Sequence, residues 1–482
     1  MSLSDKDIEA IARQIASTLS GGNPPSPSAP PPAPVSSPAD PGLGVFSTIN
    51  EAIQASQKAF PVYTALPLAV RNRIIAAIRR AALDNASVLA KAAAEETRLG
   101  RFEDKILKNQ LVAEKTPGTE QLVPESFTGD HGLTLCEPAP YGVIGSITPC
   151  TNPTSTIINN AIAMIAAGNT VVFNTHPTAK SCSAQTVALL NKTITAHGGP
   201  ANVVTCVASP TIESAQEMMK HPGVRLIVVT GGGGVVKAAM ASGKRAICAG
   251  PGNPPVVVDE TADIDPAARD IVLGASFDNN IICVEEKEVI VVASVADALL
   301  KAMTQYGAAL IERGRLQQLE NTIFTKMAGP RGHAEVNRDC IGKNADLILG
   351  KMGMSVPSTI KLGVVEVDET HPLLWTEQMM PIMPVTRVPN ADYAISLAIQ
   401  IEGGCRHTAI MHSKNLDNLS RMARECNCSI FVKNGRSQAG LGFGGEGYTS
   451  FTIASPTGEG LTGPRSFSRW RRCVLVDHFR IV

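Results

Sequence analysis

The 482-residue sequence has no surplus of charge of either sign: Lys and Arg total 43 and Asp and Glu total 43. Without a net field, neither nucleic acid nor an anionic membrane surface is the expected partner, and a small molecule is. The 11 cysteines, scattered from Cys136 to Cys473, form no CxxC pair and no Cys/His spacing suited to zinc. This excludes a disulfide framework and predicts no metal site, leaving reduced thiols of a cytoplasmic protein. No apolar run is long enough to span a bilayer, and Asp5, Asp7 and Glu9 stand where a secretion signal needs a basic start. No repeat of fixed period is visible either.

Ser4 and Asp7 resemble a capping box, and Ile8, Ile11, Ile15 and Leu19 recur at helical spacing, so residues 1–20 read as an amphipathic helix. Gly21–Gly44 follows, with nine of the 33 prolines and almost no large apolar side chain, which predicts an extended linker. A short amphipathic helix on so long a leash suits a groove on another protein; folding back onto its own domain is the alternative.

From Val45 to about Val123 the apolar spacing is helical. From Tyr141 onward short β-branched runs alternate with helical patterns: Val143–Ile147, Thr170–Phe173, Val203–Val207 and Leu226–Val229 are each followed by a helix. This alternation predicts βαβ units on a parallel sheet in the Rossmann manner. A second α/β series follows, with Glu288–Val292, Val364–Val367, Ile382–Val388, Thr408–His412 and Ser429–Val432 as strands. The terminal CVLVDHFRIV reads as a strand that pairs outside its own domain.

Cys283 sits in Gly274-Ala-Ser-Phe-Asp-Asn-Asn-Ile-Ile-Cys283-Val-Glu-Glu-Lys287, between a helical pattern and a strand, where a thiol can be presented at a domain junction. Thr148-Pro-Cys-Thr-Asn152-Pro, Thr230-Gly-Gly-Gly-Gly234, Ile247-Cys-Ala-Gly-Pro-Gly-Asn-Pro-Pro255 and Thr376-Glu377-Gln-Met-Met-Pro381 accompany it. Together these strings resemble the aldehyde dehydrogenase superfamily from about Val45 to Val482. The resemblance is greatest to its CoA-acylating branch, the acetaldehyde and propionaldehyde dehydrogenases of bacterial microcompartments.

The resemblance implies an aldehyde dehydrogenase fold. A Rossmann-like cofactor domain would occupy 45–126 and 142–262, a catalytic α/β domain 263–450, and a small β oligomerisation flap 127–141 and 465–482. It implies a homodimer or homotetramer inside a microcompartment, with residues 4–19 docking on a shell or cargo protein. Cys283 would be the nucleophile and Asn152 an oxyanion donor beside the backbone N–H of Cys283. NAD would lie against Thr148, Asn174, Thr175, His176, Pro177, Gly231 and Glu377. No acidic residue on the adenosine strand repels a 2′-phosphate, so NADP stays open. Cys150, Ile282, His407 and Phe443 would line the aldehyde and CoA pocket, His407 being a candidate base for the CoA thiol or a satisfied loop histidine. Hydrolytic relatives carry a water-activating glutamate where register puts Cys248. Its absence predicts transfer of the acyl group to coenzyme A, one thioester becoming another. The expected reaction is CoA-dependent oxidation of a short aliphatic aldehyde. The alternatives are a hydrolytic enzyme, an acyl-phosphate reductase and a non-catalytic scaffold.

Overall fold

The computed structural model describes residues 40–482, so the expected helix within residues 1–20 and nearly all of the linker lie outside the described residues. The chain divides into two compact units, the first made of residues 40–96, 112–250 and 450–482, the second of Thr97–Leu111 and Pro251–Thr449.

In the first unit, the β-branched runs form a six-stranded parallel sheet. Its order is Val45–Phe46, Val204–Val207, Thr170–Asn174, Val143–Ile147, Val224–Thr230, Ala246–Ala249. Strands covered on both faces read as continuous apolar runs, and Val143–Ile147 and Thr170–Asn174 are buried throughout. Pro153 opens the helix Pro153–Ala166, a position where its missing N–H costs nothing, and every residue of that helix is buried. Thr48 and Glu51 close a capping box on Ile49–Thr64, which packs on the sheet through Ile49, Ile53 and Tyr63.

Chain order sets the place of function. From Val143–Ile147 successive strands step one way to Val204–Val207, while Val224–Thr230 lies on the other side and steps away to Ala246–Ala249. The sheet reverses direction between Val143–Ile147 and Val224–Thr230. At such a reversal the loops beyond the carboxyl ends diverge and leave a crevice.

Glu125–Gly129, Gly132–Pro140 and Ser468–Val476 form a separate antiparallel sheet, registered from Gly132 opposite Val476 to Pro140 opposite Ser468. These are the segments expected as a flap, and the C-terminal strand finds its partner in the hairpin of its own unit. Phe127, Trp470, Val474 and Val476 stay exposed on it.

The second unit carries a seven-stranded parallel sheet in the order Ala308–Ile311, Leu362–Glu366, Ile382–Val388, Glu288–Val292, Pro255–Val258, Thr408–His412, Ile430–Lys433. Its core gathers Val257, Ile290, Val365, Leu373, Ile395 and Met411. Two boundaries differ from expectation. Pro255–Val258, expected to close the cofactor domain at 262, is inserted between Glu288–Val292 and Thr408–His412, because its backbone is hydrogen-bonded to both. Thr97–Leu111 belongs with the second unit because Lys105 and Lys108 are bonded to Asp278 there.

Tyr63 is fully buried and its hydroxyl donates to the Ile165 carbonyl at 3.0 Å. Tyr63→Phe removes that bond while Gly168 N–H still satisfies the carbonyl. The expected loss is about 1 kcal/mol, read as a lower urea midpoint with unchanged slope.

Candidate active site

In the first unit the candidate residues collect at the carboxyl ends of adjoining strands. Thr148 follows Val143–Ile147, its N–H donating to the Asn174 carbonyl at 3.3 Å and its hydroxyl buried without a hydrogen-bond partner. Four residues on, Asn152 sits at the N-cap of Pro153–Ala166, nearly buried, its Nδ2 donating to Thr151 Oγ1 at 3.1 Å. Cys150 packs against Ala93, Ala179 and Cys182.

Asn174 ends the next strand with its amide committed, Nδ2 donating to the Thr211 carbonyl at 3.4 Å and Oδ1 accepting from Ser214 Oγ at 2.5 Å. Thr175 is buried, and His176 Nδ1 accepts the Thr178 N–H at 3.2 Å while Pro177 is exposed. Burial lowers the His176 pKa, so its ring is neutral.

Beyond Val224–Thr230, Gly231, Gly232 and Gly233 open the helix Gly233–Met240. None adopts a positive φ, and a Cβ built on any of them meets no atom within 4 Å. Neither backbone conformation nor packing therefore demands glycine there. What the three glycines leave is open space over a helix N-terminus, which fits the close approach of a pyrophosphate.

Cys248, where the family resemblance leads one to expect the glutamate of hydrolytic relatives, lies in an apolar cluster with Val229 and Val236. Its N–H donates to Thr457 Oγ1 at 3.0 Å. Burial, with a contribution from Glu459, pushes its thiol up to about 11. It is no base for activating water.

The second unit brings together Cys283, His407 and Glu377 around Gly252. A Cβ on Gly252 would lie 2.7 Å from the Cys283 carbonyl oxygen and 2.9 Å from the His407 ring, so only glycine allows this approach. Gly252 N–H donates to Glu377 Oε1 at 3.3 Å. His407 is fully buried; its Nδ1 bonds Thr408 Oγ1 at 2.9 Å, and its Nε2 has no partner. Burial, aided by Lys287, pushes the imidazole down to about 4, so it rests neutral with a nitrogen that can accept a proton. Ile282 is buried, its N–H donating to Glu285 Oε2 at 2.9 Å. Phe443 tilts against Phe277 with centroids 5.7 Å apart and lies under the Arg436 guanidinium.

Cys283 is half-buried, and its thiol is pushed up to about 12, chiefly by burial and then by Glu377 and Glu285, with Lys287 opposing them. The sequence did not single out what surrounds it. Glu285, Glu286, Lys287 and Glu288 form a run of four charges of the kind usually left in water, yet all four are fully buried. Ser437 donates to Glu286 from its N–H and hydroxyl at 2.7 and 2.8 Å; Glu288 has no hydrogen-bond partner on either oxygen, and burial raises its pKa well above the carboxylate range.

Asp278, Asn279 and Asn280, just before the nucleophile, are consecutive left-handed residues with φ of 43°, 58° and 64°. Left-handed backbone costs roughly 1–2 kcal/mol per ordinary residue, and Asn and Asp tolerate it best. Here each side chain is anchored. The Asp278 carboxylate accepts from Arg101 N–H at 2.6 Å, Lys105 Nζ at 3.1 Å and Lys108 Nζ. Asn279 Nδ2 donates to Gly342 O and Asn344 Oδ1, at 2.9 and 2.8 Å. Asn280 Nδ2 donates to Ala275 O and Glu286 O, at 2.8 and 2.9 Å.

Gly100 is itself left-handed at φ +73°, and a Cβ there would lie 2.0 Å from Asp278 Oδ1. Gly100→Ala should displace Asp278 and lower turnover at least about tenfold while the protein stays folded. Steady-state kinetics beside a thermal melt checks this.

The aldehyde dehydrogenase family model matches residues 43–461. The acetylating acetaldehyde dehydrogenase EutE of Salmonella typhimurium is 52% identical over 441 residues, covering 91% of this chain and 94% of that protein. Among solved structures, the propionaldehyde dehydrogenase of Rhodopseudomonas palustris, with bound CoA and an acylated cysteine, is 49% identical. It superposes with a TM-score of 0.87 over 90% of this chain and 98% of that one. A propionaldehyde dehydrogenase from the Clostridium phytofermentans fucose utilisation microcompartment is 47% identical, with a TM-score of 0.88 over 91% and 100% of the two chains. With a match that takes in both sheets, the glycine-lined helix start and the buried Cys283 loop, this chain belongs to the aldehyde dehydrogenase family.

Proposed function

We propose that the chain is a CoA-acylating aldehyde dehydrogenase acting on a short aliphatic aldehyde, acetaldehyde or propionaldehyde, with a nicotinamide cofactor. The observation that carries the choice of acceptor is Cys248, an enclosed thiol where a hydrolytic enzyme needs a carboxylate base.

The thiolate of Cys283 adds to the aldehyde carbonyl, and the Cys283 N–H holds the alkoxide so formed, with the Asn152 side-chain amide as the second donor that the family resemblance implies. When bound, the nicotinamide ring supplies the hydride acceptor that converts the thiohemiacetal into a thioester. Gly231 and its neighbours admit the pyrophosphate, and Glu377, which already accepts the Gly252 N–H, takes the nicotinamide ribose hydroxyls. The CoA sulfur then displaces the Cys283 sulfur. His407 accepts the CoA thiol proton, a role supported by its place against Gly252 beside the Cys283 carbonyl and by an Nε2 without a partner among the described residues. Both thioesters are of similar energy, so the reverse reduction of acyl-CoA is accessible.

Two features support a wider assembly. The exposed Trp470, Val474 and Val476 on the three-stranded sheet are the apolar surface expected of a homo-oligomer contact. The sequence pattern of residues 4–19 suits docking on a microcompartment shell or cargo protein, in keeping with the compartment origin of the Clostridium phytofermentans relative.

NADH formation from propionaldehyde should require CoA, and Cys283→Ala should abolish it. Equal rates with and without CoA would point to hydrolysis, and full activity in the alanine variant to a scaffold. Deleting residues 1–20 should leave kcat unchanged while the enzyme no longer co-purifies with shells; continued co-purification would remove residues 4–19 from the docking role.

A further inference from the structure

The thiol of Cys283 stands between opposing charges. Glu377 and Glu285 disfavour its ionisation, and Lys287 is the cation acting against them. Lys287 is fully buried, so its field is little screened by water. Its Nζ donates twice to Asn280, to the carbonyl oxygen at 2.9 Å and to Oδ1 at 2.5 Å. Its backbone is fixed at both ends, its N–H donating to Pro254 O at 3.1 Å and its carbonyl accepting from Gln378 Nε2 at 2.7 Å. Asn280 in turn is the last residue of the left-handed turn, three positions before the nucleophile.

Asp and Asn tolerate the geometry of that turn better than other side-chain-bearing residues do, but tolerance alone does not fix it. A left-handed residue persists only where its surroundings over-determine it, and such positions cluster at functional sites. For Asp278 and Asn279 the anchors come from Arg101, Lys105, Lys108, Gly342 and Asn344. For Asn280, the residue leading into Ile281-Ile282-Cys283, the cationic anchor is Lys287.

Resting on the assignment of Cys283 as nucleophile, we propose that Lys287 is a positioning residue for it. Through Asn280 it clamps the left-handed turn to the nucleophile loop, and it holds a buried cation four residues along the chain from the thiol. A bare structural clamp would need only hydrogen bonds. The charge is what a clamp beside two carboxylates and a nucleophile adds: it offsets Glu285 and Glu377 when the thiolate forms.

Two variants of the full-length enzyme separate the clamp from the charge. Lys287→Gln keeps a donor near Asn280 and removes the charge; Asn280→Gly removes the side-chain acceptor and leaves a residue that adopts positive φ freely. Alkylation of Cys283 by iodoacetamide is followed against pH, with the modified peptide identified by mass spectrometry and folding checked by thermal melting. In Lys287→Gln the alkylation midpoint should rise by at least about one pH unit, a roughly tenfold slower reaction at pH 8. In Asn280→Gly kcat should fall about tenfold, with the KM for aldehyde changed less than about twofold. A folded Lys287→Gln protein with the wild-type midpoint overturns the electrostatic part, and wild-type kcat in Asn280→Gly overturns the clamp. Alkylation involves neither aldehyde nor CoA, so these outcomes do not depend on which acceptor takes the acyl group.

Discussion

The bonds from the Lys287 ammonium to Asn280 join two demands that conflict elsewhere in proteins: a nucleophile needs a dry pocket, and charges need water. An ion moved into a low-dielectric interior costs several kcal/mol unless it is paired and hydrogen-bonded. Four consecutive ionisable residues, Glu285 to Glu288, are buried just after Cys283, the last of them opening the strand Glu288–Val292. Three have fixed partners: Glu285 the Ile282 N–H, Glu286 the N–H and hydroxyl of Ser437, and Lys287 both oxygens of Asn280. The loop that presents the thiol therefore takes its shape from polar bonds, whose directionality apolar packing lacks.

The first unit solves a simpler problem by simpler means. Its sheet is held by buried β-branched runs, and its candidate residues need only stand where the strand order reverses. Thr148 and Gly231 follow the two strands that flank that reversal. The open face of Gly231–Gly233 is informative because no feature of the protein itself explains it.

How much of this was legible in the sequence follows from which forces leave a pattern. Val143–Ile147, Ile382–Val388 and Thr408–His412 were readable because burial on both faces imposes continuous apolar runs. Asn152 was singled out only by the family resemblance of its string, since an Asn before Pro153 reads as an ordinary turn residue. The Cys283 loop was not readable in the same way: a charge run has one composition whether it is solvated or buried, and φ at Asp278–Asn280 depends on anchors that arrive from elsewhere in the chain. The assignment of Thr97–Leu111 to the second unit was hidden for the same reason, since the Asp278 carboxylate that Lys105 and Lys108 bind lies about 170 positions away. The boundary at 262 failed because Pro255–Val258 looks alike as the last strand of one sheet or a central strand of the next.

The discontinuity of both units bears on how the chain is made. A ribosome releases residues in order, yet the second unit takes Thr97–Leu111 from well before its main body, and the first unit takes Ser450–Val482 from beyond that body. Gly132–Pro140 gains its long partner only when Ser468–Val476 emerges. Such pairings carry a large loop-closure entropy and form slowly. Gly132–Pro140 therefore waits, one edge unpaired, for a strand that lies far later in the chain, and in that interval the edge is open to pairing with other chains or to chaperone capture.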